Sequence, residues 1–148
     1  MRISIIIALF ACLCGLVTSC NDEEEPTYSV YVKTSYSEYQ ELMTANRCVL
    51  YTYDDYYRTN ERIGLGGICL LRDMERNLHA FDLACPFERL RDVTLEVEMP
   101  RARCQQCGSV FDLTYGVGNC IEGPSSRSMM EYTKVSDRVN LGYIVVTN

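Results

Sequence analysis

The sequence is poor in the residues on which several activities depend. It contains a single histidine, His79, among its 148 residues. One imidazole without a matching serine or acidic partner gives no support to a nucleophilic catalytic triad. The carboxylates form no recognisable pair at catalytic spacing. We therefore expect a protein that is not an enzyme.

Positive charge is also scarce and dispersed. The chain has 14 lysine and arginine residues against 20 aspartate and glutamate residues, which gives a net charge of −6 at pH 7. No basic patch stands out along the sequence, and nucleic-acid binding depends on such a patch. The composition therefore argues against a nucleic acid as partner.

The chain also lacks an apolar run long enough to span a bilayer. Residues 3–17 are apolar but fall short of the ~20 residues that a transmembrane helix needs, so they indicate a secretory signal. The run ends in Val17-Thr18-Ser19-Cys20, an aliphatic residue and two small residues before a cysteine. This pattern resembles the bacterial lipobox, which implies that residues 1–19 are removed and that Cys20 carries the lipid. An ordinary signal peptide with a chance cysteine is the alternative.

Residues 20–27 form an acidic tether behind the predicted lipidation site. Such a run cannot pack in a core, and it resembles the surface-export signal of lipoproteins from the Bacteroides group. A solvated spacer is the alternative. Removing residues 1–19 takes away one positive charge and no negative one, which leaves a net charge of −7. We expect an outer-membrane lipoprotein, surface-exposed if the acidic run directs export, that contacts the membrane through the acyl chains on Cys20 and binds an envelope protein.

The remaining residues, 28–148, show no repeat, no low-complexity stretch and no further linker, so they predict one domain. Short β-branched and aromatic segments alternate with turn residues, which is typical of a β-sandwich or barrel. A short helix is predicted within residues 37–45, with Ser37 as its cap. Strands are predicted at 28–32, 48–53, 68–71, 78–83, 94–97, 110–113, 130–134 and 141–146.

Six cysteines lie in this domain: Cys48, Cys69, Cys85, Cys104, Cys107 and Cys120. Cys48 and Cys69 fall in predicted apolar strands, where buried free thiols are common. Cys120 falls in a predicted glycine-rich turn, so its thiol is expected to be more exposed.

The sequence around the other three cysteines carries a family resemblance. Cys85-Pro86-Phe87 follows an Ala-Phe-Asp segment, and sixteen residues separate Phe87 from Cys104. The segment from Cys104 continues as Cys-Gln-Gln-Cys-Gly-Ser-Val-Phe-Asp, and a Gly-Pro-Ser segment follows at 123–125. This arrangement resembles the Rieske domain, with its Cys-x-His and Cys-x-x-His-Gly-Ser motifs, over residues 62–148. The resemblance implies an all-β, Rieske-like antiparallel β-sandwich or barrel with a two-loop, cluster-binding-like subdomain.

The ligand set implied by the resemblance is incomplete. In a Rieske cluster two cysteines hold one iron and two histidines hold the other. The resemblance assigns Cys85 and Cys104 to the first iron and puts Phe87 and Cys107 at the histidine positions. A chain with one histidine cannot supply two, and its leader lacks the twin arginines that mark export of prefolded proteins. We therefore expect no cofactor and a non-enzymatic binding or accessory module.

Four further uses of these cysteines stay open. A redox-active Cys104–Cys107 pair is one, although such a pair normally lies at a helix N-terminus and no helix is predicted there. A disulfide between Cys85 and Cys104 is predicted to join the two loops, since exported proteins favour disulfides, worth ~3 kcal/mol here. An electron carrier with an atypical [2Fe–2S] cluster would use Cys85, Cys104 and Cys107. A structural zinc ion would use the same three cysteines with His79 or Cys120 as the fourth ligand.

Overall fold

A computed structural model of the chain describes residues 28–54 and 62–148. The predicted leader, Cys20 and the acidic tether lie outside the described residues. Eleven strands occur within the described ranges. They are β1 (Val30–Ser35), β2 (Arg47–Tyr51), β3 (Arg62–Ile63), β4 (Ile68–Arg72), β5 (Leu78–Asp82), β6 (Leu95–Glu98), β7 (Arg101–Cys104), β8 (Val110–Asp112), β9 (Asn119–Glu122), β10 (Lys134–Arg138) and β11 (Tyr143–Thr147).

The strands form three antiparallel sheets. The first sheet has the order β10-β11-β1-β3, the second β2-β4-β5 and the third β6-β7-β8-β9. Two short 3₁₀ helices, Gln40–Met43 and Val139–Leu141, are the helical elements of the described residues. The predicted all-β class with antiparallel sheets is confirmed. In the part of the chain that the structure describes, no helix has the length and apolar character needed to cross a bilayer.

Strand β4 lies at the centre of the molecule, and all five of its residues are buried. Ile68 and Leu70 belong to the first core, which packs the first and second sheets together. Cys69 and Leu71 belong to the second core, which packs the second and third sheets together. Because alternate side chains of a strand point to opposite faces, a strand covered on both faces needs the continuous apolar run seen here.

The third sheet positions the two loops of interest. An isolated bridge between Ala84 and Thr94 closes the first loop, residues 85–93, at its base. Strand β6 follows that loop directly and pairs with β7, which places Leu95 opposite Cys104. Cys104 begins the second loop, residues 104–109, so strand pairing brings the two loops together.

Several local predictions were wrong. Residues 130–133 form no strand apart from an isolated bridge of Glu131 to Phe81, and β10 begins only at Lys134. Ser37 does not cap the first 3₁₀ helix, whose N-terminal flanking residue is Tyr39.

Strands β3, β7 and β9 were not predicted. In β7 the exposed face carries arginines, so only two of its four residues are buried. Cys120 lies in strand β9 and not in a turn; it is half-buried, and so more exposed than the fully buried Cys69.

Candidate functional site

Three thiols meet where the two loops approach each other. The sulfur atoms of Cys85, Cys104 and Cys107 all lie within 4.8 Å of one another. The Cys85 and Cys107 sulfurs are 3.6 Å apart. Cys85 and Cys104 are fully buried, whereas Cys107 is half-buried at the rim.

Backbone hydrogen bonds fix Cys85 in the first loop. Its N–H donates to the Val93 carbonyl at 2.9 Å, and its own carbonyl accepts from the Arg89 N–H at 2.8 Å. The backbone amides of Glu88 and Phe87 lie close enough to the Cys85 sulfur to lower the pKa of its thiol. The loop therefore directs two amide donors at this sulfur.

The second loop is a tight turn between β7 and β8. The Cys104 N–H donates to the Ser109 carbonyl at 2.9 Å, and the Gly108 N–H donates to the Cys104 carbonyl at 3.0 Å. Gly108 has a φ of 76°, which a residue with a side chain rarely adopts. This geometry turns Cys107 back toward Cys85.

Ser109 links the second loop to the Gly-Pro-Ser segment. Its Oγ accepts from the Cys107 S–H and from the Ser125 N–H, each at 3.2 Å. A Cβ atom at Gly123 would lie 2.6 Å from the Ser109 Cα, so only glycine permits this approach. The Gly-Pro-Ser segment thus holds Ser109 against Cys107.

The pKa values of the Cys85 and Cys107 thiols are shifted in opposite directions. Burial raises the pKa of Cys85 to about 12, although the amides of Glu88 and Phe87 act in the other direction. Burial also raises the pKa of Cys107, but the Ser109 hydroxyl and amide and the two neighbouring thiols outweigh it, so the net pKa is lowered. In the metal-free site Cys107 therefore loses its proton more readily than Cys85.

The buried Asp82 carboxylate holds the base of the first loop. The Asp82 carboxylate accepts hydrogen bonds from the backbone N–H groups of Leu65, Gly66 and Ala84 at 2.7, 3.0 and 2.7 Å. It also accepts one from the Tyr132 hydroxyl at 2.6 Å. Burial, together with the Asp82 charge, raises the pKa of Tyr132 far above its ordinary value, which keeps this donor protonated.

The other predicted site residues lie apart from the three thiols. His79 Nδ1 is 2.9 Å from Glu131 Oε1, and its Nε2 is 3.2 Å from Asp73 Oδ2. The Cys120 S–H donates to the Glu122 carbonyl at 3.1 Å. Neither His79 nor Cys120 joins the three-cysteine group, so neither completes the four-ligand zinc site predicted for them.

Cys48 lies in β2 and Cys69 in β4, as predicted; Cys69 is buried, and Cys48 is half-buried. The disulfide between Cys85 and Cys104 stays a prediction.

The donor set does not fit a Rieske cluster. That cluster needs two sulfur and two imidazole ligands, and the loops offer three sulfurs. At the first histidine position the Phe87 side chain has no donor atom and is 50% exposed. At the second position stands Cys107. No reaction of a Rieske centre can be assigned to these residues.

Comparison with solved structures finds several chains of similar path. One of them is assigned as the NADH-dependent nitrite reductase small subunit of Mycobacterium tuberculosis, with 21% identity and a TM-score of 0.41. The similarity covers 81% of this chain and 96% of that chain. No family model and no curated protein matches the chain. A likeness of this size carries no information on what the chain binds or does.

Sequence reasoning assigned no role to Asp82 or Ser109, although both lie in the segments that carry the resemblance. Asp82 could have been noticed, because an acidic residue at the end of a buried strand needs hydrogen-bond partners. Ser109 gave no comparable signal, because Ser125, which it holds to the second loop, lies sixteen residues further along the chain.

Proposed function

We propose that the chain is an exported, lipid-anchored protein whose Rieske-like domain carries no Rieske cluster and binds a partner in the cell envelope without catalysis. The observation that carries this proposal is the donor set where the two loops meet, which contains three sulfurs and no nitrogen. Cysteine at one histidine position and phenylalanine at the other remove the ligands for the second iron.

The position of the loops does not depend on a cluster. The pairing of β6 with β7, the Ala84–Thr94 bridge and the hydrogen bonds of Asp82 all act through the polypeptide itself. The first loop also exposes two large apolar side chains, Phe87 at 50% and Leu90 at 54%. Aromatic residues are enriched in protein interfaces, so this loop is the expected contact surface for a protein partner.

The cluster-free state is tested by elemental analysis and colour. The full chain is isolated from its native membrane without a metal-affinity tag, and iron and visible absorption are measured on the same sample. We expect less than about 0.1 iron per chain and no visible band, whereas a Rieske cluster would give two irons. The Cys85→Ser variant serves as a control and should give the same low iron. Stoichiometric iron that is lost in this variant would contradict the proposal and favour the atypical [2Fe–2S] carrier.

The lipid anchor is tested separately at Cys20. The acyl chains hold the acidic protein at the membrane, so Cys20→Ala should move it from the detergent phase to the aqueous phase on Triton X-114 partition. Ser19→Ala, which retains a small residue before the cysteine, is the matched control and should stay in the detergent phase. Equal partition of the wild type and Cys20→Ala would refute lipidation at this residue.

A further inference from the structure

We propose that Cys85, Cys104 and Cys107 together bind a single Cu(I) ion. This inference goes beyond the proposed function and does not depend on it. It rests on a compact group of three sulfur donors that recruits no other ligand among the described residues.

The space between the sulfurs has the size of one metal ion. The Cys85 and Cys107 sulfurs are 3.6 Å apart, and none of the three sulfur–sulfur separations exceeds 4.8 Å. An ion at the centre of an equilateral triangle with such edges lies about 2.1 to 2.8 Å from each sulfur, and metal–thiolate bonds of about 2.3 Å fall in that interval. One ion therefore fits with little movement of either loop.

The number and kind of donors select the ion. Thiolates favour soft metals, chiefly Cu(I), zinc and iron–sulfur clusters. Structural zinc takes four protein ligands, and in the described ranges no histidine, cysteine, aspartate or glutamate joins the three thiols. Cu(I) is stable with three thiolates in a plane. Unlike zinc, it therefore needs no fourth ligand from the protein.

The loops also supply hydrogen bonds to stabilise the charge. Three Cu–S bonds would form and three thiol protons would leave for solvent, while copper stays in the Cu(I) state. The resulting site carries two negative charges, which are costly to bury without hydrogen-bond donors. The amides of Phe87 and Glu88 lie at the Cys85 sulfur, and the Ser109 amide and hydroxyl lie at Cys107. Half-buried Cys107 gives the ion a route from solvent.

The test is an anaerobic titration of the full chain, purified with its thiols reduced and stripped of metal. Cu(I) is added in competition with the chromophoric chelator bathocuproine disulfonate. We expect one Cu(I) per chain, ultraviolet thiolate-to-copper absorption, and X-ray absorption that shows three sulfurs at about 2.3 Å. The predicted Cys85–Cys104 disulfide would compete for the same sulfurs, so the reductant stays present until the titration begins.

Variants show whether these sulfurs are the ligands. Loss of a residue that merely supports a metal ligand typically costs 10- to 100-fold in affinity, so Cys104→Ser and Cys107→Ser should each cost at least about 100-fold. Cys120→Ser is the matched control, because it removes a thiol of the third sheet outside the group, and it should bind as the wild type does. Far-UV circular dichroism shows whether Cys104→Ser still folds, since Cys104 is fully buried. If that variant does not fold, Cys107→Ser still tests the proposal, because a half-buried position tolerates serine.

Three results would overturn the proposal. These are no Cu(I) bound in competition with the chelator, equal binding by the wild type and Cys107→Ser, or tighter binding of one Zn²⁺ by the same three thiols in a parallel titration. The iron assay and the copper titration test separate proposals. If the chain binds no copper, the proposal of a cluster-free domain is unaffected. Stoichiometric iron would contradict that proposal whatever the copper titration gives.

Discussion

At the scale of single residues, Asp82 shows how one buried carboxylate organises the approach to the thiols. Its two oxygens accept from three backbone amides and one phenol, so a turn, a loop base and the Tyr132 hydroxyl all depend on it. These hydrogen bonds are stronger than those between neutral groups, because the acceptor is a carboxylate. The close approach of this turn also needs Gly66, where a Cβ would lie 2.4 Å from the Ala84 nitrogen.

Asp82→Asn should destabilise the protein by about 3 kcal/mol. The amide group replaces one acceptor oxygen with a donor that faces other donors, which leaves buried N–H groups unsatisfied. Urea unfolding monitored by circular dichroism measures the loss. Asp92→Asn, at an exposed position of the first loop, is the matched control and should change stability by less than about 0.5 kcal/mol. A similar small change at Asp82 would refute the supporting role.

At the scale of elements, Arg72 joins three parts of the chain at the end of β4. Its Nε donates to the Leu42 carbonyl of the first 3₁₀ helix, and its Nη1 donates to the Arg76 carbonyl at 2.8 Å. Its Nη2 donates to the Tyr36 hydroxyl and forms an ion pair with Asp137 of β10, both at 2.7 Å. The planar guanidinium can serve all four acceptors at once, which a lysine ammonium cannot.

Arg72→Lys should therefore lower the free energy of unfolding by about 2 to 3 kcal/mol, since buried acceptors lose their donors. Arg76→Lys makes the same chemical change on an exposed side chain that donates one long hydrogen bond to the Met43 carbonyl. That control should cost less than about 0.5 kcal/mol. Chemical denaturation of both variants gives the comparison, and equal losses would show that the cluster of acceptors around Arg72 adds no stability.

At the scale of the whole molecule, β4 contributes buried side chains to both cores. Leu70 points into the first core and Leu71 into the second, and both are fully buried. The three-thiol site lies on the side of the second core, which also contains Cys85 and Cys104. Because one strand serves both cores, loosening either should destabilise the entire domain.

Leu70→Ala and Leu71→Ala should each cost about 3 kcal/mol and leave a single cooperative transition. Two probes follow urea unfolding: circular dichroism, and alkylation of buried Cys104 located by mass spectrometry. The two transitions should coincide in both variants. If Cys104 in Leu71→Ala became reactive at lower urea than the loss of circular dichroism, the two-loop part would unfold independently of the first core.

Much of the architecture followed from local pattern. The apolar run at 68–71 predicted the central strand, because a strand buried on both faces carries apolar residues at consecutive positions. Short polar strands such as β7 and β9 escaped prediction, since most or half of their residues are exposed and the apolar run of a buried strand is missing. At residues 130–133 the error was the opposite one: their side chains predicted a strand, but they form only one isolated bridge.

The amino-acid sequence by itself determined the all-β class and the shortage of imidazole ligands, because strand patterns are local and a count of histidines needs no coordinates. Only the tertiary structure decided that Cys107 joins Cys85 and Cys104, while His79 turns to Asp73 and Glu131. The reason is physical: the meeting of the two loops depends on the register of β6 with β7 and on hydrogen bonds between segments distant in the sequence, and the side-chain pattern of either loop does not fix them.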